Sequence, residues 1–268
     1  MRIVKEHFES IHQLLNVLET RPNNAEMSGC NSSTKNDESF TGTKNWAEAV
    51  ELFQNGYSEV LDQIKSGVAK NVNSAQIESR RHIRTGVVGY APHVPNAIQN
   101  LPNSMIYTEK QTQKVKAISI YYAPTANCFV PTETFIKSGI AMLSAVNMLE
   151  KSGIRVNLNI VLFSVGNDGE SELTFATVKV KDYKEHMDIL KLCFPVVHPS
   201  LFRRFGFKWL ETCPDIKASG WRCGYGHENA SVINKLKKEA VKENEYMFAL
   251  QDIEAMKFDP EAIVKTIK

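Results

Sequence analysis

Four consecutive stretches between residues 115 and 182 leave few folds open to this chain. "VKAISIYY" (115–122) is apolar and rich in β-formers. "RVNLNIVLFSV" (155–165) sets Val156, Leu158, Ile160 and Leu162 against Asn157, Asn159 and Val161, the two-residue period of a strand. Between them, "PTETFIKSGIAMLSAVNMLEKSG" (131–153) places Phe135, Ile136, Ile140, Leu143, Val146 and Leu149 on one helical stripe, opened by Pro131 and Glu133 and stopped by Gly153. "SELTFATVKVKD" (171–182) returns as a third strand after the turn "GNDG" (166–169). A crossover helix makes the first two strands parallel with a right-handed connection. A short turn makes the third antiparallel and sets it at a sheet edge. The predicted fold class is therefore α/β, a mixed sheet flanked by helices.

The rest of the chain is arranged around that core. Residues 3–20 carry Phe8, Ile11, Leu14, Leu15 and Leu18 at helical spacing, and Arg21-Pro22-Asn23-Asn24 breaks the helix. Residues 22–41, rich in Asn, Ser and Thr, read as an exposed loop. Thr43 is placed to cap a helix with Trp46, Val50 and Phe53 on one face, ended by Asn55-Gly56, and Tyr57, Val60, Leu61 and Ile64 mark another. Pro92, Pro95 and Pro102 make 86–106 an irregular connection, with "VPNAIQ" at most a short helix. Residues 183–197 predict a short helix and a fourth strand at about 191–197. A helix opened by Pro199 turns Leu201, Phe202, Phe205 and Trp209 to the core. "NASVINKLKKEAVKENEYMF" reads as a charged helix, and Asp259-Pro260 opens the last one. The expected organisation is a mainly helical N-terminal region (1–85), an α/β core (86–230) and C-terminal helices (231–268).

Charge and cysteine content narrow the function classes. The 268 residues hold 32 Lys and Arg against 30 Asp and Glu, so coating of nucleic acid by bulk charge is not expected, although a local basic patch is compatible. The opening "MRIVKEHFESIHQLL" contains no signal-peptide apolar segment, and no run of about 18 apolar residues occurs. A cytoplasmic protein without a membrane partner is the expectation. Five scattered cysteines form no C-x-x-C pair, which speaks against a disulfide framework or a closed zinc site; Cys213, Cys223 and His227 are the one loose set of metal-ligating types. Neither a Walker loop nor G-x-G-x-x-G occurs, and no cofactor is expected.

Three segments supply candidate contact residues. In "FPVVHPSLFRR" (194–204), His198 either caps a helix that begins near Pro199 or joins Ser200, Arg203 and Arg204 in an anion site at the helix start. A Ser200–His198 nucleophile pair is disfavoured by its spacing and by the lack of an orienting acid. "SRRHIR" (79–84) offers Arg80, Arg81 and Arg84 to phosphates, or is ordinary solvated charge without the interleaved aromatics that base stacking needs. "GWRCGYGHE" (220–228) puts Trp221 and Tyr225 among three glycines, as a pocket-lining loop or as close packing over a core.

The order β-α-β-β-α resembles the opening of a von Willebrand factor A-type domain. Metal-binding members of that fold carry Asp-x-Ser-x-Ser after the first strand. The equivalent "YYAPTANC" (121–128) has Ala123 and Ala126, with only Thr125 and Asn127 as oxygen donors, so the resemblance implies a degenerate metal motif. "SFTGTKNWAEAVELFQNG" (39–56), "VVGYAPHVPNAIQNLPNSMI" (87–106), "GIAMLSAVNMLEKSGIRVNL" (139–158) and "FPVVHPSLFRRFGFKWLE" (194–211) are similar to an uncharacterised family of phage and prophage proteins of Gram-positive bacteria. That resemblance implies a phage context and assigns no activity. With no acid/base pair, metal set or activated nucleophile at workable spacing, the expected function is a non-enzymatic protein that binds a host or phage protein, such as a modulator of a host enzyme or defence complex. The alternative is nucleic-acid binding or phosphoester processing in phage replication through His198, Arg203 and Arg204.

Overall fold

The computed structural model describes residues 2–27, 31–64, 82–109, 116–166, 172–217, 230–242 and 245–267. In chain order the elements are β1 (Arg2–Phe8), α1 (Ile11–Thr20), α2 (Glu38–Thr41), α3 (Trp46–Asn55), β2 (His82–Gly86), β3 (Ala91–Pro92), α4 (Val94–Ile98) and β4 (Met105–Glu109). Next come β5 (Ala117–Ala123), α5 (Thr132–Lys151), β6 (Arg155–Val165), β7 (Glu172–Lys181) and α6 (Ile189–Val197). A π-helical turn (Leu201–Gly206) then runs into α7 (Phe207–Thr212), followed by α8 (Ala230–Ala240), β8 (Glu245–Ala249), α9 (Leu250–Ala255) and α10 (Pro260–Ile267). The chain forms two compact units: residues 1–73 with 117–268, and residues 74–116.

The large unit is a mixed α/β layer. Its five-stranded sheet has the order β1-β7-β6-β5-β8, with β5 parallel to β6 and β8, and β7 antiparallel to β6. On one face Ile118, Ile120, Tyr122, Leu158 and Ile160 pack against Met142, Leu143, Val146 and Leu149 of α5. On the other, Ala123, Val161, Phe163 and Phe175 meet Val232, Ile233 and Leu236 of α8. Fully buried Gly139 of α5 lets that helix approach α6: a Cβ there would lie 2.4 Å from the Val196 carbonyl oxygen and 2.5 Å from Val197 Cα.

Three elements differ from the sequence expectation. Residues 2–8 form a strand, because Val4 and Phe8 lie four apart, a spacing that suits one face of a strand as well as a helix, and pairing with β7 decides between them. The helix begins only at Ile11, where the Ser10 hydroxyl accepts from Gln13 N–H. β1 also covers β7, which is thus not an edge. The fourth strand expected at about 191–197 is α6, capped by Asp188 and buried from Leu192 to Val197; a short apolar run has no period of its own to separate the two. The place beside β5 belongs to β8, where the sequence predicts the end of a charged helix. Asn45, not Thr43, caps α3.

The smaller unit contains a three-stranded antiparallel sheet, β2-β4-β3, with α4 between β3 and β4. Gly89 lies so close to β4 that a Cβ would stand 2.1 Å from the Ile106 carbonyl oxygen. Tyr90 N–H bonds that same oxygen at 2.9 Å.

Candidate functional site

The π-helical turn carries Arg203 and Arg204 into the interior of the large unit, at 1 % and 0 % exposure. Arg204 engages all five of its N–H donors. Its Nε donates to Thr43 Oγ1 (2.6 Å), Nη1 to the carbonyls of Ser33 (3.0 Å) and Lys35 (3.2 Å), and Nη2 to Thr41 Oγ1 (3.0 Å) and the Thr43 carbonyl (2.7 Å). Every acceptor is uncharged. Burial draws the guanidinium pKa down, with the charges of Glu48 and Asp37 opposing the shift. The Asn/Ser/Thr-rich segment expected to be an exposed loop is in this part a strap laid over a buried cation, with Ser33, Thr41 and Thr43 themselves buried.

Arg203 serves the other side of the same turn. Its Nη1 donates to the Phe40 carbonyl and Nη2 to that of Val130, both at 2.7 Å. The guanidinium carbon lies 4.1 Å from the Phe40 ring centre and 4.4 Å from that of Phe135, between two aromatic faces. Its Nε is buried without an acceptor, and burial lowers the pKa to about 10.

His198 is 7 % exposed and ends α6. Its Nδ1 accepts from the Ser200 N–H at 3.2 Å, and its ring stacks on Phe194 and meets Tyr57 edge-on. Burial, and then the Arg204 charge, lower its pKa to about 4, so the ring is neutral at neutral pH. Ser200 Oγ donates to the Thr41 carbonyl at 2.6 Å and lies 3.0 Å from Thr43 Oγ1. The structure therefore brings all four predicted residues of this segment together: Ser200, Arg203 and Arg204 clamp residues 33–43, and His198 holds Ser200.

Of the other candidates, Arg84 is exposed on β2. Arg80, Arg81, Trp221 and Tyr225 lie outside the described residues, as do Cys223 and His227. Cys213 is buried. In the stretch after β5, Thr125 Oγ1 donates to the Phe163 carbonyl and accepts from the Phe163 N–H. Among the described residues no group of three His, Cys, Asp or Glu is placed to hold a metal ion, and no helix is long and apolar enough to cross a membrane.

Two surface features were not singled out from the sequence. One is a cleft of about 590 Å³ between the end of β7 and the starts of α1 and α6. Its polar groups answer one another: Lys179 pairs with Glu9 at 2.6 Å and Lys191 with Asp188 at 3.7 Å, while Ser10 and Asp188 cap the two helices. The other is the run of exposed apolar side chains Val87, Val88, Tyr90, Val94, Ile98 and Leu101 on the smaller unit, with Val88 at 81 % and Ile98 at 78 %. A signal for it exists in the sequence. Val87, Tyr90, Val94, Ile98 and Leu101 fall at helical spacing, yet Gly89, Pro92 and Pro95 interrupt the segment, so no single regular helix can turn them all to one core.

Fold and site together define a mixed α/β protein with a buried arginine clamp and, in the smaller unit, an exposed apolar run. Over residues 2–267 the chain matches the model of a family described as a domain of unknown function, DUF7192, and it belongs to that family. No curated protein and no solved structure matches it.

Proposed function

We propose that this is a non-enzymatic binding protein that docks onto another protein through the smaller unit, in a phage or prophage setting where it modulates a host enzyme or defence complex. The observation that carries the reading is the exposed apolar run from Val87 to Leu101. Several large apolar side chains exposed within one short segment mark a candidate interaction site. The segment that looks most like a polar or catalytic site supports the same reading from the other side, because Ser200, Arg203 and Arg204 are occupied in holding the protein's own strap and His198 in accepting from the Ser200 N–H. The phage setting rests on the sequence resemblance. The strand–helix–strand–hairpin core with β8 on the far side of β5 supports the likeness to a von Willebrand A-type domain.

The test compares wild type with Val88→Ser/Ile98→Ser in pull-downs from infected cells. One stoichiometric protein held by the wild type and lost by the variant, with an unchanged melting temperature, is the expected result. Exposed Arg84 motivates the competing nucleic-acid reading. Micromolar binding of DNA or RNA that falls steeply with salt, together with no patch-dependent protein partner, would replace the protein-docking reading.

A further inference from the structure

We infer that the large unit holds a small-molecule site on the α8 face of its sheet, and that the site takes a flat heterocycle with an amide edge, a nucleobase or its nucleoside. A hollow of about 290 Å³ is lined by Tyr121 of β5, Phe175 and Thr177 of β7, Lys5 of β1, and Glu239 and Ala240 at the end of α8. With walls on β5 and β7 it lies across β6, the strand between them. Register fixes what β6 contributes. Asn159 pairs with Tyr121 on one side and Lys179 on the other, and the next residue on that face, Val161, pairs with Thr177. Leu158 and Ile160 point to α5. Asn159 therefore points the opposite way, with Val161 and Phe163, toward α8 and the hollow.

The chemistry of that face selects the ligand. Asn159 is 3 % exposed, and its Nδ2 is buried without an acceptor. Two residues back on the same face, Asn157 Nδ2 donates to Ser119 Oγ at 3.4 Å, while Asn157 Oδ1 is buried without a donor. A stranded donor and a stranded acceptor cost stability that valine or leucine would not, and both are open to a group from outside the chain. A ligand edge that carries a carbonyl or ring nitrogen beside an N–H answers the two kinds of group together, as nucleobase edges do. The walls suit the same class. Phe175 and Tyr121, whose hydroxyl is engaged with Glu245, offer ring faces to a flat solute. Charge separates a base from a nucleotide. Lys5 and Glu239 bring one charge of each sign to the rim, Glu6 is held by Arg21 and Trp209, and His7 and Lys179 both meet Glu9. Among the described residues no unopposed cation is left there for a phosphate, so the neutral base or nucleoside fits best.

The experiment titrates the full-length protein with uracil, hypoxanthine, adenosine and guanosine, read by saturation-transfer NMR and calorimetry, with benzyl alcohol as a neutral ring that lacks an amide edge. The expected result is that at least one base or nucleoside binds with a Kd below about 1 mM and that benzyl alcohol does not displace it. Asn159→Leu should weaken that binding at least about tenfold. Its melting temperature should hold or rise, because the variant removes a stranded donor. If Asn159→Leu does not fold, Ala240→Trp, which fills the hollow from its α8 wall, should abolish the same binding. Three results would overturn the inference: no binding of any of the four compounds, binding that neither variant changes, or benzyl alcohol competing on equal terms. Adenosine monophosphate binding more tightly than adenosine would reject the neutral ligand. The docking reading stands apart from all of these, and Val88→Ser/Ile98→Ser should bind the base or nucleoside as the wild type does.

Discussion

Arg204 makes five hydrogen bonds to neutral oxygens, and no other side chain could make that set. Lysine has three donors around a point charge in place of a planar fork. Arg204→Lys should therefore leave two or more buried acceptors unanswered and cost about 2–4 kcal/mol, a figure set by the penalty for stranded buried polar groups. Urea denaturation reads the loss, and protease cleavage within 33–43 should rise with it. The sequence showed two adjacent arginines at the start of an apolar helix, a pattern that usually means solvated charge. What hid their burial is that their partners come from backbone carbonyls and threonine hydroxyls far away in the chain, which leave no complementary charge pattern to read.

His198 gives a pH-dependent expectation. Its pKa is about 4 in the folded protein against 6.5 as the ordinary value, so between those values the unfolded chain binds the extra proton. The resulting stability is complete above about pH 6.5, falls as the pH drops toward 4 at up to about 1.4 kcal/mol per pH unit, and changes no further below it. His198→Asn keeps a side-chain acceptor for Ser200 N–H but has no proton to gain. Its unfolding free energy, measured from pH 7 to 4, should fall less steeply than that of wild type. Parallel curves would mean that His198 is charged in the folded state.

Among the elements, α5 and α6 meet closely at Gly139. Gly139→Ala would press a methyl group into the backbone of Val196 and Val197, where no side chain can rotate away. A loss of about 2 kcal/mol or more is expected, as for overpacking elsewhere, although alanine is the better helix former. A thermal melt decides it, and an unchanged or higher melting temperature would show that the two helices can part cheaply. Where period and length were long enough, the sequence specified its elements closely: α5, β6 and β7 lie within about one residue of their expected limits. β1, α6 and β8 are short, and each was assigned to the wrong class. Their apolar spacing fits helix and strand alike, and only the neighbour in the sheet or the contact with α5 settles the choice.

At the scale of the whole molecule, the sheet closes from the two ends of the chain, with β1 at one margin and β8 at the other. Removing residues 2–8 should leave β7 with an unpaired row of backbone donors and acceptors, along a strand that carries Leu173, Phe175, Val178 and Val180. Light scattering at micromolar concentration should rise for the truncated protein, while full-length protein stays clear under the same conditions.

That arrangement also sets an order in time. β1 leaves the ribosome well before its partner β7, whose paired residues begin with Glu172, opposite Arg2. At synthesis rates of about 5–20 residues per second, the first strand waits roughly 10–30 s for the strand it pairs with. During that interval it is a solitary β-former with Ile3, Val4 and Phe8 in the open. The charges at Arg2, Lys5 and Glu6 act against pairing of the waiting strand with its counterpart on a neighbouring nascent chain, and in the folded protein Glu6 goes on to accept from Trp209 Nε1 and to pair with Arg21.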